Sequence, residues 1–177
     1  MINFQRRRMS VSLTTDITQI EHQENQLRFS KFDESDAWAL GIIMRDLAVR
    51  KNLALVLDIR IGIRPLFYFA MPGTTPENPD WVRRKYNTVM RFHKSSYRVG
   101  RELEVKGIKL DSSRGVDPLE YASAGGGFPI HVIGTGVVGA VTVSGIPQRE
   151  DHNFVTEVIA TFLNIDFAKL VLGPETP

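Results

Sequence analysis

The chain has 177 residues, the size of one domain with an ordinary core, and its 42% apolar and 24% charged residues are those of a globular protein in water. No apolar run approaches the roughly 20 residues needed to cross a bilayer, and the opening MINFQRRRMS lacks the apolar stretch of a secretory signal. Zero cysteines exclude disulfides, thiolate zinc sites, iron–sulfur clusters and a cysteine nucleophile, and fit a cytoplasmic protein.

Residues 1–13 carry no core periodicity and are expected as a flexible tail, followed by one domain over 14–168. Thr18 to Phe29 is polar, with Ile20 and Leu27 as sparse apolar positions, and reads as an exposed helix. Asp33 and Ser35 offer N-caps for a stronger helix over 34–50, where Leu40, Ile43, Met44 and Leu47 recur at the spacing of one buried face. Gly41 inside it costs about 1 kcal/mol against alanine, so a close packing contact is expected there.

The period then changes to two. Leu53, Leu55, Leu57, Ile59 and Ile61 define a strand, Gly62 a turn, and Pro65 to Met71 its hairpin partner. PGTTPENP (72–79) is a loop. Asp80 is expected to cap a helix to about Lys94, with Val82, Tyr86, Val89 and His93 on one face. A further helix follows over about 95–105, then an irregular stretch and a helical turn at 118–123. Strands over 128–133 and 137–143 flank Gly134 to Gly136. A last helix opens at Asp151, and 169–177 is expected as a flexible tail. Hairpins in place of strand–helix–strand crossovers imply an antiparallel sheet covered by helices, an α+β fold. An additional short strand is placed near 108–110 or 121–124.

Charge is unevenly placed. The pI of about 9.0 rests on Arg6, Arg7 and Arg8, which precede Met9, a second plausible start. Without them the 22 basic residues become 19 against 20 acids, so no nucleic-acid partner is expected. The informative asymmetry is local: Arg83, Arg84, Lys85, Arg91, Lys94, Arg98 and Arg101 fall in one acid-free run. That run reads either as an anion site, with Arg84 and Arg91 on one helical face, or as a solvated face or one paired with Glu150, Asp151 and other acids across a subunit interface.

The other chemistry-bearing features are few. Gly125 to Gly127 lack the spacing of a dinucleotide or P-loop motif and read as a close backbone approach or subunit contact, or as a pocket wall. The four histidines form no zinc-binding pair. His93 reads as a core residue on an apolar face, or as a ligand. His152 beside Asp151 at a helix N-terminus reads as a cap, or as a carboxylate-oriented imidazole. Ser144-Gly145 is not a nucleophile elbow.

The run from Gly125 to Ile130, the strand from Gly136 to Gly145 and the closing Glu150-Asp151-His152 together resemble the haem-degrading-domain family, which includes HbpS-like and GlcG-like proteins. The segment DWVRRKYNTVMRFHKSSYRVG (80–100) resembles its UPF0303 branch. The resemblance covers about residues 30–167. It implies a profilin-like fold with a five-stranded antiparallel sheet flanked by helices, a homo-oligomer, and haem as a cofactor of some members, with Met90, His93, His131 and His152 the axial donors available here. The expected site is a basic pocket for a small anion. Arg84 and Arg91 bind the anion, Ser95, Ser96 and the amides near Gly125, Gly126 and Gly127 donate to it, His93 or His152 carries a proton, and Asp151 orients His152. No metal site and no membrane partner are expected. A non-enzymatic oligomeric adaptor and an enzyme acting on a small organic acid are the competing readings.

Overall fold

The computed structural model describes residues 2–175, with side chains from residue 12 onward. Four strands form one antiparallel sheet: β1 (Val56–Ile61), β2 (Arg64–Ala70), β3 (Gly127–Val132) and β4 (Gly136–Ser144), in the order β2-β1-β4-β3. The two hairpins meet through β1 and β4, where Leu57 pairs with Val143 and Ile59 with Val141. Alternation therefore sends Leu55, Leu57, Ile59, Val141 and Val143 to one face, which α2 (Glu34–Arg50) and α5 (Gln148–Phe162) cover. The opposite face carries α3 (Glu77–Phe92), which packs Tyr86 and Val89 against Ala140. Beyond β3, α1 (Ile2–Gln26) lies against α4 (Ser96–Val105), and Ile20 is buried with Tyr97 and Leu172.

Local chemistry explains these boundaries. Asp33 accepts from the amides of Ser35 and Asp36, while the Asp36 carboxylate accepts from the Asp33 amide, a reciprocal cap that starts α2 at the expected residue. Gly41 does permit close packing: a Cβ there would lie 2.2 Å from the Phe67 ring. Pro129 lies in an edge strand, where a missing amide costs least.

Several expectations are corrected. The sheet has four strands, not five. Phe29 adds a single parallel bridge outside β3, its amide donating to His131 O and its carbonyl accepting from Ile133. The chain then turns at once to reach the Asp33 cap, so the pairing ends after one residue. Neither 108–110 nor 121–124 forms a strand. α1 begins at Ile2 rather than near Thr18. α3 begins at Glu77, not at Asp80, which sits within its first turn and pairs there with Arg83. α5 begins at Gln148. The chain after 169 packs against the protein through 175, with Leu170 and Leu172 buried. Met1, Thr176 and Pro177 of the expected tails lie outside the described residues.

Candidate functional site

The three glycines thread between helices. At Gly125 a Cβ would stand 1.9 Å from the Gln148 carbonyl, and at Gly126 it would stand 2.9 Å from Lys85 Nζ and 3.0 Å from Asp151 Cβ. Gly126 also has φ +115, a conformation L side chains rarely adopt. The run is therefore the place where α3, the sheet and the first turn of α5 come closest. Ser96 Oγ holds it, donating to Ala124 O at 2.6 Å and accepting from the Gly127 amide at 3.0 Å. Ser95 is spent elsewhere: its hydroxyl caps α4 by accepting from Arg98 N, and its amide donates to Glu24.

Behind Gly126 lies the group that the sequence reading missed. Lys85 Nζ donates to Asp151 Oδ2 at 2.7 Å and to Val143 O at 3.0 Å, and Asp151 Oδ1 accepts from the Ile146 amide. Both side chains are at most 3% exposed. Burial pushes the Asp151 carboxyl up to about 6 against the opposing pull of Lys85, and burial lowers the Lys85 ammonium. The signal was present: Val82, Lys85 and Val89 follow one helical stripe, so an ammonium sits where the pattern calls for an apolar residue.

Asp151 therefore does not orient His152. The imidazole is fully buried, its Nε2 lies 2.8 Å from Gln23 Oε1, and its ring packs against Tyr97 and Phe128. Nδ1 is buried without a partner. Burial, with Arg149 and Arg101 nearby, holds its pKa down to about 3, so the ring is neutral near pH 7. His93 is not a core residue. It is the left-handed residue that ends α3, with φ 53, and its side chain is exposed.

Two adjoining clefts open beside this centre and share Trp81, Ala124 and Gln148. The narrower, about 270 Å³, reaches Lys85 and Asp151. The wider, about 510 Å³, presents Arg84, Arg101 and Lys109 among Tyr97, Tyr121 and Leu103, with Glu104 as its acid. Arg84 stacks over Trp81 at 4.5 Å, donates to Pro118 O, and meets its nearest carboxylate, Asp80, only at 3.9 Å. Its Nε is buried and unpartnered. Arg91 lines neither cleft; it is exposed, 5.8 Å over Tyr121, with a long hydrogen bond to Arg114 O.

Most of the basic run is already paired within the chain. Arg83 meets Asp80 and Glu120; Arg98 meets Glu21, Glu24 and Glu102; Lys94 meets Glu102. The acids come from α1, α3, α4 and the turn at Glu120 of the same chain, and Asp151 likewise meets Lys85 within the chain. Of the two arginines expected to bind an anion, only Arg84 faces a cleft.

With this geometry in view, comparison with known proteins is decisive on kinship. The family model for haem degrading protein HbpS-like matches residues 32–160. The chain belongs to this HbpS-like family. Within it, a UPF0303 protein of Rhizobium rhizogenes is 47% identical over 92% of this chain and all of its own length. Another from Pseudomonas entomophila is 46% identical over 93% of this chain and 91% of its own. Among solved structures, the Ybr137w protein superposes with a TM-score of 0.76 at 29% identity, covering 84% of this chain and 87% of that one. A PduOC:heme complex shares the fold alone, with a TM-score of 0.63 at 15% identity over 77% of this chain and 97% of that one.

The family description raises haem, and the donors of this HbpS-like chain bear on it directly. No histidine or methionine lines either cleft. His152 Nε2 is engaged by Gln23 inside the core, and His93 and His131 lie outside both clefts, with partial burial and the charge of Arg28 lowering the His131 pKa. The residues around the clefts do not fit a haem held by histidine or methionine.

Proposed function

We propose that the protein binds a small organic acid in the wider cleft. The observation that carries this reading is the lining: three cations, Arg84, Arg101 and Lys109, face one acid, Glu104, among aromatic and aliphatic walls. Arg84 supports it most, because it is the less neutralised of the two arginines there, Arg101 meeting Asp16, Glu104 and Glu175, and its planar fork suits a carboxylate. The neighbouring Lys85–Asp151 pair supplies a carboxyl that changes protonation near pH 6, a group able to exchange a proton with a ligand in the narrower cleft.

Calorimetric titration with citrate, benzoate and haemin tests the reading. An acid should bind, and Arg84→Gln should weaken it about tenfold, the loss of one charge-assisted contact. Acid binding indifferent to Arg84→Gln, or no acid binding at all, removes the reading.

A second proposal concerns assembly. β2 is an open sheet edge, and beside it Ile63, Trp38, Tyr68 and Phe69 are exposed, with Ile63 at 96%. The opposite edge is partly covered by the Phe29 bridge. The β2 edge is where a second copy of this chain would pack. Gly126 and Asp151 are buried within one chain, so they do not supply a subunit contact. Among the described residues no helix is long and apolar enough to cross a membrane, and the cysteine-free composition supports a cytoplasmic setting.

A further inference from the structure

The carboxy-terminal segment brings Glu175 to Arg101, one cation of the wider cleft. Leu172 is buried against Ile20 and Tyr97, and its backbone is clamped at both ends by Asn153, whose amide donates to Leu172 O and whose Oδ1 accepts from Leu172 N, each at 3.0 Å. Arg149 Nε donates to Gly173 O at 2.6 Å. These contacts deliver Glu175 to Tyr97 and Arg101: its carboxylate accepts from the Tyr97 hydroxyl at 3.2 Å and from an Arg101 guanidinium nitrogen.

The receiving group is built and enclosed. The Arg101 side chain is 8% exposed and lies 4.5 Å over the Tyr97 ring. It also donates to the Tyr97 hydroxyl and to Glu104, while its Nε is buried with no hydrogen-bond partner and Asp16 stands 3.7 Å away. Arg149 differs, because Asp16 satisfies it with two hydrogen bonds at 2.7 and 2.8 Å. Arg101 is thus an enclosed cation whose donors are incompletely used. Glu175, by contrast, is 55% exposed. An exposed carboxylate held mainly by one cation is a weakly bound occupant.

We infer that Arg101 and Tyr97 form a carboxylate subsite of the wider cleft, and that Glu175 is its resident occupant, in competition with an acid entering from solution. The inference rests on the cleft reading above and adds both the recognition group and the chain's own competitor. A carboxylate is favoured over a phosphate because the resident group is itself a carboxylate meeting the guanidinium and a phenol hydroxyl.

The test uses the full chain, Glu175→Gln, a second variant lacking residues 174–177, and Arg101→Lys. Citrate is titrated while the arginine Nε–Hε resonances are followed by NMR. The substitution Glu175→Gln should by itself shift the Arg101 signal. Citrate should then saturate that signal at a concentration about fivefold lower than in the full chain, the displacement of one exposed ion pair, and the shorter variant should match. Arg101→Lys should weaken citrate in the Glu175→Gln background. Inorganic phosphate should bind more weakly than citrate; the reverse order overturns the carboxylate assignment. Arg84-dependent citrate binding of equal strength with and without Glu175 overturns this inference and leaves the cleft reading standing. Absence of binding in every variant overturns both.

Discussion

Lys85 and Asp151 join α3 to α5 through a 2.7 Å ion pair that only a glycine at 126 allows. The glycine run and the pair are one device. The backbone passes close to both side chains and leaves them at most 3% exposed, and that burial is what displaces their protonation.

Asp151→Asn is expected to destabilise the protein by about 3–5 kcal/mol, because it leaves a buried ammonium facing a neutral amide. The double substitution Lys85→Met with Asp151→Leu removes both charges and should recover much of the loss. Urea denaturation of the wild type and the two variants measures this; an Asp151→Asn variant as stable as wild type would show that breaking the pair leaves no costly buried charge.

The same residues set a pH signature. Asp151 is raised from 3.8 to about 6 on folding, so between about pH 4 and 6 the folded state holds a proton that the unfolded state has lost, and stability falls as pH rises. His152 is lowered from 6.5 to about 3, so across about pH 3 to 6.5 the unfolded state holds the extra proton and stability rises with pH. From about pH 4 to 6 the two slopes oppose each other. Asp151→Asn should therefore make melting temperature climb more steeply with pH in that window, and His152→Gln should make it climb less or fall. Parallel profiles for the two variants would contradict the assigned shifts.

The sheet and α2 were legible because their signals are local. The alternation from Leu53 to Ile61 and the Asp33 cap depend on neighbours in sequence. The site was less so. His93 fitted an apolar stripe, but the helix ends at Phe92, short of the expected Lys94, and a left-handed turn swings His93 outward. Asp151 and His152 are adjacent in sequence yet face different partners, Lys85 and Gln23, because successive residues of a helix point about 100° apart. Glu21 and Glu24 on Arg98, and Glu175 on Arg101, lie more than 70 residues from their partners in sequence, a pairing that no local pattern encodes.

Haemin addition separates family kinship from this chain's own donors. Whatever absorption spectrum the wild type gives with haemin, His152→Gln should leave it unchanged, since the imidazole is enclosed in the core and engaged by Gln23. A Soret band that moves or vanishes in this variant, with the far-ultraviolet circular dichroism intact, would place the iron at His152.

Gly125→Ala is expected to cost stability without altering assembly. The new Cβ would meet the Gln148 carbonyl at 1.9 Å, backbone against backbone, so the first turn of α5 must shift. Overpacking of this kind costs roughly 1–3 kcal/mol or more. Thermal melting should register it, with scattering mass unchanged; a lowered mass at native melting temperature would instead mean that the glycines meet another subunit.

Phe69→Lys carries the opposite expectation. Phe69 is 40% exposed on the open β2 edge and lies one turn of the pleat from Phe67, whose ring contacts Trp38. A lysine there is tolerated by a solvated strand but opposes edge-to-edge pairing, one of the standard protections of sheet edges. Light scattering should find the wild type at a multiple of 20.0 kDa and the variant at a smaller multiple, with unchanged secondary structure. An oligomer of undiminished mass would move the interface away from β2, and the exposed Ile63 at the adjoining turn would then need another explanation.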